Sequence, residues 1–447
     1  MTRFDYVIKR SGVKVPFTPQ RITNAIYRAA VAVGGRDRET AEKLTIKVIQ
    51  NLEKSLPDGH IPHVEEVQDA VEKILIENAH AKVAKAFILY RDERARMRAQ
   101  RETQTFQSSQ NIPWAKIWQV LDWASSHDVH TIEKYNQRIK KGELQQVTSE
   151  AEIFYEEDIK NASEKICERR EDLRIVLISG PSSSGKTTTT IKIGENLKQM
   201  GLSLVALNVD NYFFDLDKHP KDEFGDYDFE TPQALDLRLI NDHLTKLVRG
   251  EEIKIPFYDF KNGRRHDNQT PMKIGKNDII LIDSLHGLYP PMTENISEDK
   301  KFKLYLEPLM QMKDSKGGYV RWTDIRLMRR MLRDEAYRAY DPEKTLTHWH
   351  YVRASEIRNI IPNNIYADMI INSAMPYELS IYKSKLFNQF YGWEKKYKDD
   401  SLRSDAYERA TRIRELLEEI IPLDDDSFVP SDSVIREFIG GSSLSYH

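Results

Sequence analysis

Gly180-Pro181-Ser182-Ser183-Ser184-Gly185-Lys186-Thr187 is the stretch whose reading decides how this chain folds. Every fixed position of the pattern G-x-x-x-x-G-K-[ST] is filled. Before it, Arg174-Ile175-Val176-Leu177-Ile178-Ser179 reads as a buried strand. After it, Thr188 to Met200 reads as a helix with apolar Ile191, Ile193 and Leu197. Strand, glycine loop and helix start make a phosphate cradle. The glycines let the backbone close on the anion, and the first N–H groups of the helix point at it. The plain alternative is a Gly/Ser turn, and the filled positions in this context weigh against it. Gly180, Ser182, Ser183, Ser184, Gly185, Lys186, Thr187 and Thr188 are therefore the expected triphosphate-binding set. Lys186 reaches the outer phosphates and the Thr187 hydroxyl holds Mg²⁺.

Outward from the loop, strands alternate with helices. Strands are expected at 174–179, 203–209, 279–283, 302–306 and 368–372, so the fold class is α/β, a parallel sheet flanked by helices. Asp210, in Val209-Asp210-Asn211-Tyr212-Phe213, follows the second strand, at the crevice where ligands bind in open α/β sheets. There it is placed to take the proton of an attacking hydroxyl. Alone, such an Asp is more often a turn or helix cap. Ile279-Ile280-Leu281-Ile282-Asp283 ends four apolar residues with an acid, which places Asp283 on Mg²⁺ directly or through water. Arg326, Arg330 and Arg333 share one helical face, with Arg338 beyond, and would clamp a triphosphate as a lid. A solvated basic face is the plain alternative.

Composition sets outer bounds. The 447 residues suffice for about three domains. With 67 basic and 70 acidic residues the net charge is −3, so no global field draws the chain to nucleic acid or anionic membrane. No apolar run approaches the ~18 residues of a membrane span, and Met1 to Tyr6 lacks the apolar core of a secretory signal. The single cysteine, Cys167, excludes an internal disulfide and reads as a buried structural thiol. A reducing, cytoplasmic compartment is expected.

The first 98 residues form one unit. Tyr6 to Arg10 and Val13 to Phe17 read as a hairpin around Ser11-Gly12. A helix starts at Thr18-Pro19 with Ile22, Ala25, Ile26, Ala29 and Val33 on one face. Others follow over about Arg38 to Ser55, from Val64, and around Val83, Phe87 and Tyr90. Residues 99–170 read as linker and helical connector. Gln104 to Gln110 is the linker, Trp114, Trp118 and Trp123 suggest a packed helical patch, and Ala151 to Arg169 forms a helix. Residues 171–447 are the loop-bearing domain and its tail.

From about 171 to 385 the chain resembles the uridine kinase and phosphoribulokinase family. The resemblance rests on the loop, Asp210 with its aromatic neighbours, Tyr227-Asp228-Phe229-Glu230-Thr231-Pro232, Pro256-Phe257-Tyr258-Asp259-Phe260 and the arginine helix, in the family's order. A tail like Phe428 to Gly441 is similar to a bacterial group of these kinases. The resemblance implies ATP as donor, Mg²⁺ as cofactor and a nucleoside acceptor; a homo-oligomer is expected, its size unspecified by the sequence. It puts Asp210 on the catalytic base, Asp283 on the metal-associated acid, Glu230 on the ribose hydroxyls and Tyr258 on the base. Arg330 and Arg333 fall on active-site arginines and Arg338 on a lid arginine. Three positions depart: Gly263 stands where the pyrimidine kinases have a base-reading His, Tyr340 replaces a second lid arginine, and Glu230 is one methylene longer than the family's Asp. His266 lies nearby as a possible substitute.

Residues 5–95 resemble the ATP-cone, on Val7 to Gly12, Phe17 to Ala30 and Ala84 to Arg91. This implies an allosteric ATP or dATP site, for which Lys9 and Arg10 supply paired cations. The leading expectation is an ATP-dependent nucleoside kinase with a nucleotide-sensing domain. A kinase of another small alcohol, such as a sugar phosphate, stays open through Gly263. A DNA-binding nucleotide sensor is disfavoured, because one cysteine cannot build a zinc ribbon.

Overall fold

The structure, a computed structural model, describes residues 2–8, 14–35, 37–78, 80–88, 112–220, 231–338, 340–400 and 403–444. It divides into two compact units, Met1–Ser109 with Tyr397–Ser404, and Gln110–Lys396 with Asp405–His447.

In the first unit, β1 (Tyr6–Ile8) pairs antiparallel with β2 (Lys14–Pro16), Val7 opposite Val15. Three helices follow, α1 (Pro19–Ala32), α2 (Arg38–Ser55) and α3 (Val64–Glu77). Pro19 opens α1 because its fixed φ suits a first turn and its missing N–H is not needed there. Asp37 starts α2 by accepting the Thr40 N–H. The apolar stripes interlock in one core: Ile22 and Ile26, Leu44, Val48 and Leu52, then Val71, Ile74 and Leu75. Helical residues 81–88 add Ala84 and Phe87. Val33 does not join the α1 face; it caps the helix and is 42% exposed. Lys9, Arg10, Tyr90 and the Gln104–Gln110 linker lie outside the described residues.

The second unit opens with α4 (Trp114–Ser126), α5 (Ile132–Lys140) and α6 (Leu144–Glu168). The tryptophans do not form a packed patch. Trp114 and Trp118 lie four apart on the outer face, 60% and 70% exposed, while Val120 and Ala124 turn inward. Trp123 packs inward, stacked on Phe154 at 4.9 Å. Cys167 is half-buried rather than buried, one residue from the end of α6.

Next come β3 (Ile175–Ser179), α7 (Lys186–Gln199), β4 (Ser203–Ala206), α8 (Leu237–Val248), β5 (Ile253–Asp259), β6 (Arg264–Met272) and β7 (Asp278–Asp283). The chain continues through β8 (Lys301–Glu307), α9 (Trp322–Arg338), α10 (Pro342–Ser355), β9 (Met369–Asn372), α11 (Glu378–Tyr397), α12 (Ser404–Glu419) and the single turn α13 (Arg436–Ile439). Five strands form one sheet in the order β4-β7-β3-β8-β9, and every pairing is parallel. All five residues of β3 are buried, as both-face coverage by helices requires. From β3 the chain runs out to β4, returns to β7, then crosses to β8 and β9. This reversal opens the crevice at the carboxyl ends beside β3. Each expected strand lies in this sheet.

The β5–β6 hairpin is an addition that the sequence pattern did not announce. Its second strand, Arg264 to Met272, is polar almost throughout and contains Pro271. It shows no apolar alternation because it is exposed along most of its length.

Candidate active site

The loop between β3 and α7 is shaped from behind. Gly185 adopts φ +90° and Ser183 φ +60°, so the backbone curls into a nest. Its carbonyls are turned outward onto donors. Lys186 Nζ donates to the carbonyls of Gly180 at 3.0 Å and Pro181 at 3.3 Å. Arg326 donates to that of Ser182 at 3.1 Å, Ser373 to that of Ser184, and Thr189 to that of Gly185 at 2.8 Å. In a planar trans peptide a carbonyl turned outward turns the following N–H inward. The Ser183 and Ser184 hydroxyls are buried, with no hydrogen-bond partner among the described residues. A phosphate supplies the acceptors such hydroxyls need, so the residues present fit an anion here.

Parallel register sets Asp283 opposite Ile178, two residues ahead of the loop. Burial pushes its carboxyl up to about 6; Glu437 and Asp210 add to the rise and Lys186 opposes it. Burial likewise lowers the Lys186 ammonium, against the pull of Asp283 and Glu437. Asp210 sits in a single 3-10 turn, Val209–Tyr212, which Asn208 starts by accepting the Asp210 N–H at 2.9 Å. Asp210 is exposed to the crevice, yet desolvation by the surrounding walls raises its carboxyl, and Lys186 restrains the rise. The cradle thus holds Lys186, Asp283 and Asp210 within electrostatic reach of one another.

The arginine helix divides its labour differently from the lid expectation. Arg326 is fully buried, with Glu356 on its guanidinium at 2.9 Å and Glu307 at 3.7 Å. It braces the Ser182 carbonyl from behind and does not face a ligand. Arg329 is also fully buried, donating to Glu378 at 2.7 Å and to the Ser373 carbonyl at 2.7 Å. Arg330 turns toward the loop, with Nη1 3.5 Å from the Ser182 hydroxyl. Arg333 lies close enough to Lys186 to lower its ammonium further, while its Nε is 3.6 Å from Asp334. The Arg338 side chain and Glu230 lie outside the described residues.

Beside the Asp210 turn, Phe213 closes the turn and packs on Tyr258, ring centroids 5.5 Å apart. Phe260 meets Tyr258 edge-on at 4.9 Å, and His219 stacks on Tyr258 at 6.2 Å. Asn211 accepts the Tyr258 N–H at 3.3 Å and so ties β5 to the Asp210 turn. The Tyr258 hydroxyl is buried and has no hydrogen-bond partner among the described residues. His266 does not substitute for the missing His. It pairs with Phe257, so it projects from the face opposite Tyr258, and it is exposed. Gly263 is at φ +63°, and a Cβ there would stand 2.8 Å from the Leu216 Cβ.

Sequence reasoning missed Arg326 as a brace, Ser373 and His219. It also missed Glu437, which accepts from Thr188 across 249 residues. None carries a local signal, because each reaches the loop or the aromatic cluster only through the tertiary fold.

Among the described residues no three His, Cys, Asp or Glu side chains are grouped to hold a metal, and no helix is long and apolar enough to cross a membrane. Residues 5–96 match the model of the ATP cone domain, and residues 175–379 that of the phosphoribulokinase / uridine kinase family. A uridine kinase of Borrelia duttonii is 31% identical over 200 residues, 44% of this chain and 86% of its own length. A uridine kinase of Deinococcus deserti is 29% identical over 198 residues, 44% of this chain and 86% of its own. Uridine-cytidine kinase B of Dictyostelium discoideum is 29% identical over 198 residues, 44% and 73% respectively. A solved structure described as a possible uridine kinase from Bacillus stearothermophilus covers 47% of this chain and 98% of its own, at 15% identity and a TM-score of 0.29.

Proposed function

We propose that this chain, which belongs to the phosphoribulokinase / uridine kinase family, transfers the γ-phosphoryl of ATP to the 5′-hydroxyl of a uridine- or cytidine-like nucleoside. One observation carries the reading: Lys186, Asp283 and Asp210 interact across a cradle whose carbonyls are held by side-chain donors, with an aromatic cluster of buried Phe213, His219 and Tyr258 and exposed Phe260 tethered to the Asp210 turn. Phosphoryl transfer asks the protein chiefly for positioning and charge neutralisation. The loop N–H groups, Ser183, Ser184 and Lys186 hold the phosphates, with Thr188 in the same set. Arg330 and Arg333 offset charge from the flank, joined by Arg338 at the end of α9. Asp210 takes the proton of the attacking hydroxyl, and its raised carboxyl suits a general base. Thr187 and Asp283 would hold Mg²⁺. Two protein ligands are enough, because Mg²⁺ keeps waters and takes substrate phosphates. When bound, the ion neutralises charge that develops on the phosphates.

Tyr258 and its aromatic neighbours offer the base a stacking face and a phenol seeking a partner, and Glu230 belongs to the ribose hydroxyls. A second reading, a sugar phosphate or other small alcohol as acceptor, is favoured by Gly263, where the base-reading His is absent and Leu216 occupies the space. In residues 5–96, the ATP cone domain, ATP or dATP at Lys9 and Arg10 adjusts kinase output. Reciprocity then requires that substrate binding alter effector affinity.

The test is a labelled-ATP screen across pyrimidine nucleosides, purine nucleosides and sugar phosphates, with and without dATP. Turnover of uridine or cytidine that responds to dATP is the expected result. Turnover of a sugar phosphate alone would move the assignment to the second reading, and a flat dATP response would remove the cone's role.

A further inference from the structure

We propose that the C-terminal segment around Glu437 is an intramolecular occupant of the donor site, seated where a nucleotide phosphate binds and released when nucleotide enters. This holds only if the loop is the donor site, as read above. The Glu437 carboxylate accepts from the Thr188 N–H at 3.1 Å and from the Thr188 hydroxyl at 3.0 Å. Thr188 lies in the first turn of α7, whose opening N–H groups have no partner within the helix and favour an anion. In a loop of this kind those N–H groups cradle the phosphates nearest the nucleoside. A carboxylate and a phosphate cannot both take the same N–H and hydroxyl.

Two further contacts fix the segment against the flank of the loop. A Cβ on Gly185 would stand 2.5 Å from Val434 Cγ2, so Val434 lies against the second glycine of the loop. Phe438, fully buried, lies 5.0 Å from the Arg329 guanidinium, the group that also holds Ser373 behind the loop. Glu437 is near enough to Lys186 and Asp283 to act on the charge of both. An arriving triphosphate brings more negative charge to the spot where this carboxylate already sits.

The backbone on the N-terminal side of Glu437 is anchored by partners outside the loop. Asp432 accepts from Lys192 at 2.7 Å, the Ser433 hydroxyl meets the Tyr377 hydroxyl at 3.1 Å, and Arg436 donates to the Val429 carbonyl at 2.8 Å. None of these bonds involves residues 180–188, so the Glu437 carboxylate can leave Thr188 while Arg436 and the residues before it stay docked. Apparent ATP affinity is then the intrinsic affinity multiplied by the fraction of molecules with the carboxylate withdrawn.

The experiment titrates the full chain with ATP and Mg²⁺ by calorimetry, as wild type, Glu437→Gln and Glu437→Ala, each with and without Lys186→Ala. Binding that Lys186→Ala removes belongs to the donor site, which separates it from the cone. Glu437→Ala is expected to tighten that binding by about tenfold or more, since a charge-assisted bond is deleted from the competing state. Glu437→Gln, which keeps a neutral acceptor of the same shape, should tighten it less. Unchanged or weaker Lys186-dependent binding in Glu437→Ala overturns the inference and makes the segment a fixed wall. Should the variants fold poorly, amide exchange of wild type decides: residues 437–440 lose protection on adding ATP, and retained protection overturns the proposal. If Lys186→Ala removes no binding in any background, the donor-site reading itself falls, and the proposal with it.

Discussion

The donor and acceptor halves of this site are built by different means. The donor half is backbone. Its shape comes from a positive φ at Ser183 and Gly185 and from carbonyls fastened outward by Lys186, Arg326, Ser373 and Thr189. The acceptor half is side chain. It is a cluster of Phe213, His219, Tyr258 and Phe260 resting on an exposed hairpin tied to the Asp210 turn. A backbone cradle recognises any phosphate chain and tolerates little change. A side-chain cluster defines one acceptor and is retuned by single substitutions. That asymmetry explains why the phosphate donor is plain from this chain and the acceptor is not.

The sharpest way to break the comparison is at the residue joining the halves. Asp210→Asn should lower kcat by about 10²- to 10⁴-fold, the usual contribution of a general base, while Lys186-dependent ATP binding persists. Near-normal turnover in a steady-state assay would place the base elsewhere. Arg326→Ala tests the donor half as architecture. It leaves Glu307 buried without its cation and Glu356 with Arg353 alone, so stability should fall by about 3 kcal/mol in denaturant unfolding. Arg330→Ala, half-buried beside Ser182 and 3.3 Å from Asp334, which keeps Arg333, should cost less stability than Arg326→Ala and weaken turnover instead.

A pH profile sharpens the same point at smaller amplitude. Asp283 is protonated below about 6 in the free protein, and only its ionised form serves a cation. kcat/KM for ATP, which reports free-enzyme groups, should therefore fall as pH drops through about 6, approaching about tenfold per unit. Residual activity of Asp283→Asn should lack that limb. The smallest effect belongs to the acceptor half. Tyr258→Phe removes one phenol hydroxyl, so KM for the acceptor should rise by about fivefold, the worth of one neutral hydrogen bond, with KM for ATP unmoved. A change in the ATP value instead would show that the halves are not separate.

Much of the fold was readable because its signals are local. β3 is a run of buried apolar residues bounded by the loop, α2 begins at a capping Asp, and β7 carries its acid at its end. The β5–β6 hairpin was not readable, because an exposed strand is under no pressure to alternate. The tryptophan patch misled for the opposite reason. Trp114 and Trp118 look like core by residue type, and only the direction of α4 shows that they face out.

By itself the sequence determined the phosphate loop, the parallel α/β class, the two acids and the cone, since each is written in consecutive residues whose spacing matches a helix, a strand or a turn. The tertiary structure alone decided that Arg326 braces the loop, that Leu216 fills the space beside Gly263, and that Glu437 lies on Thr188. The physical reason is that burial and hydrogen-bond partnership are properties of three-dimensional neighbours. A charge far along the chain has no local pattern to betray which backbone N–H it will meet.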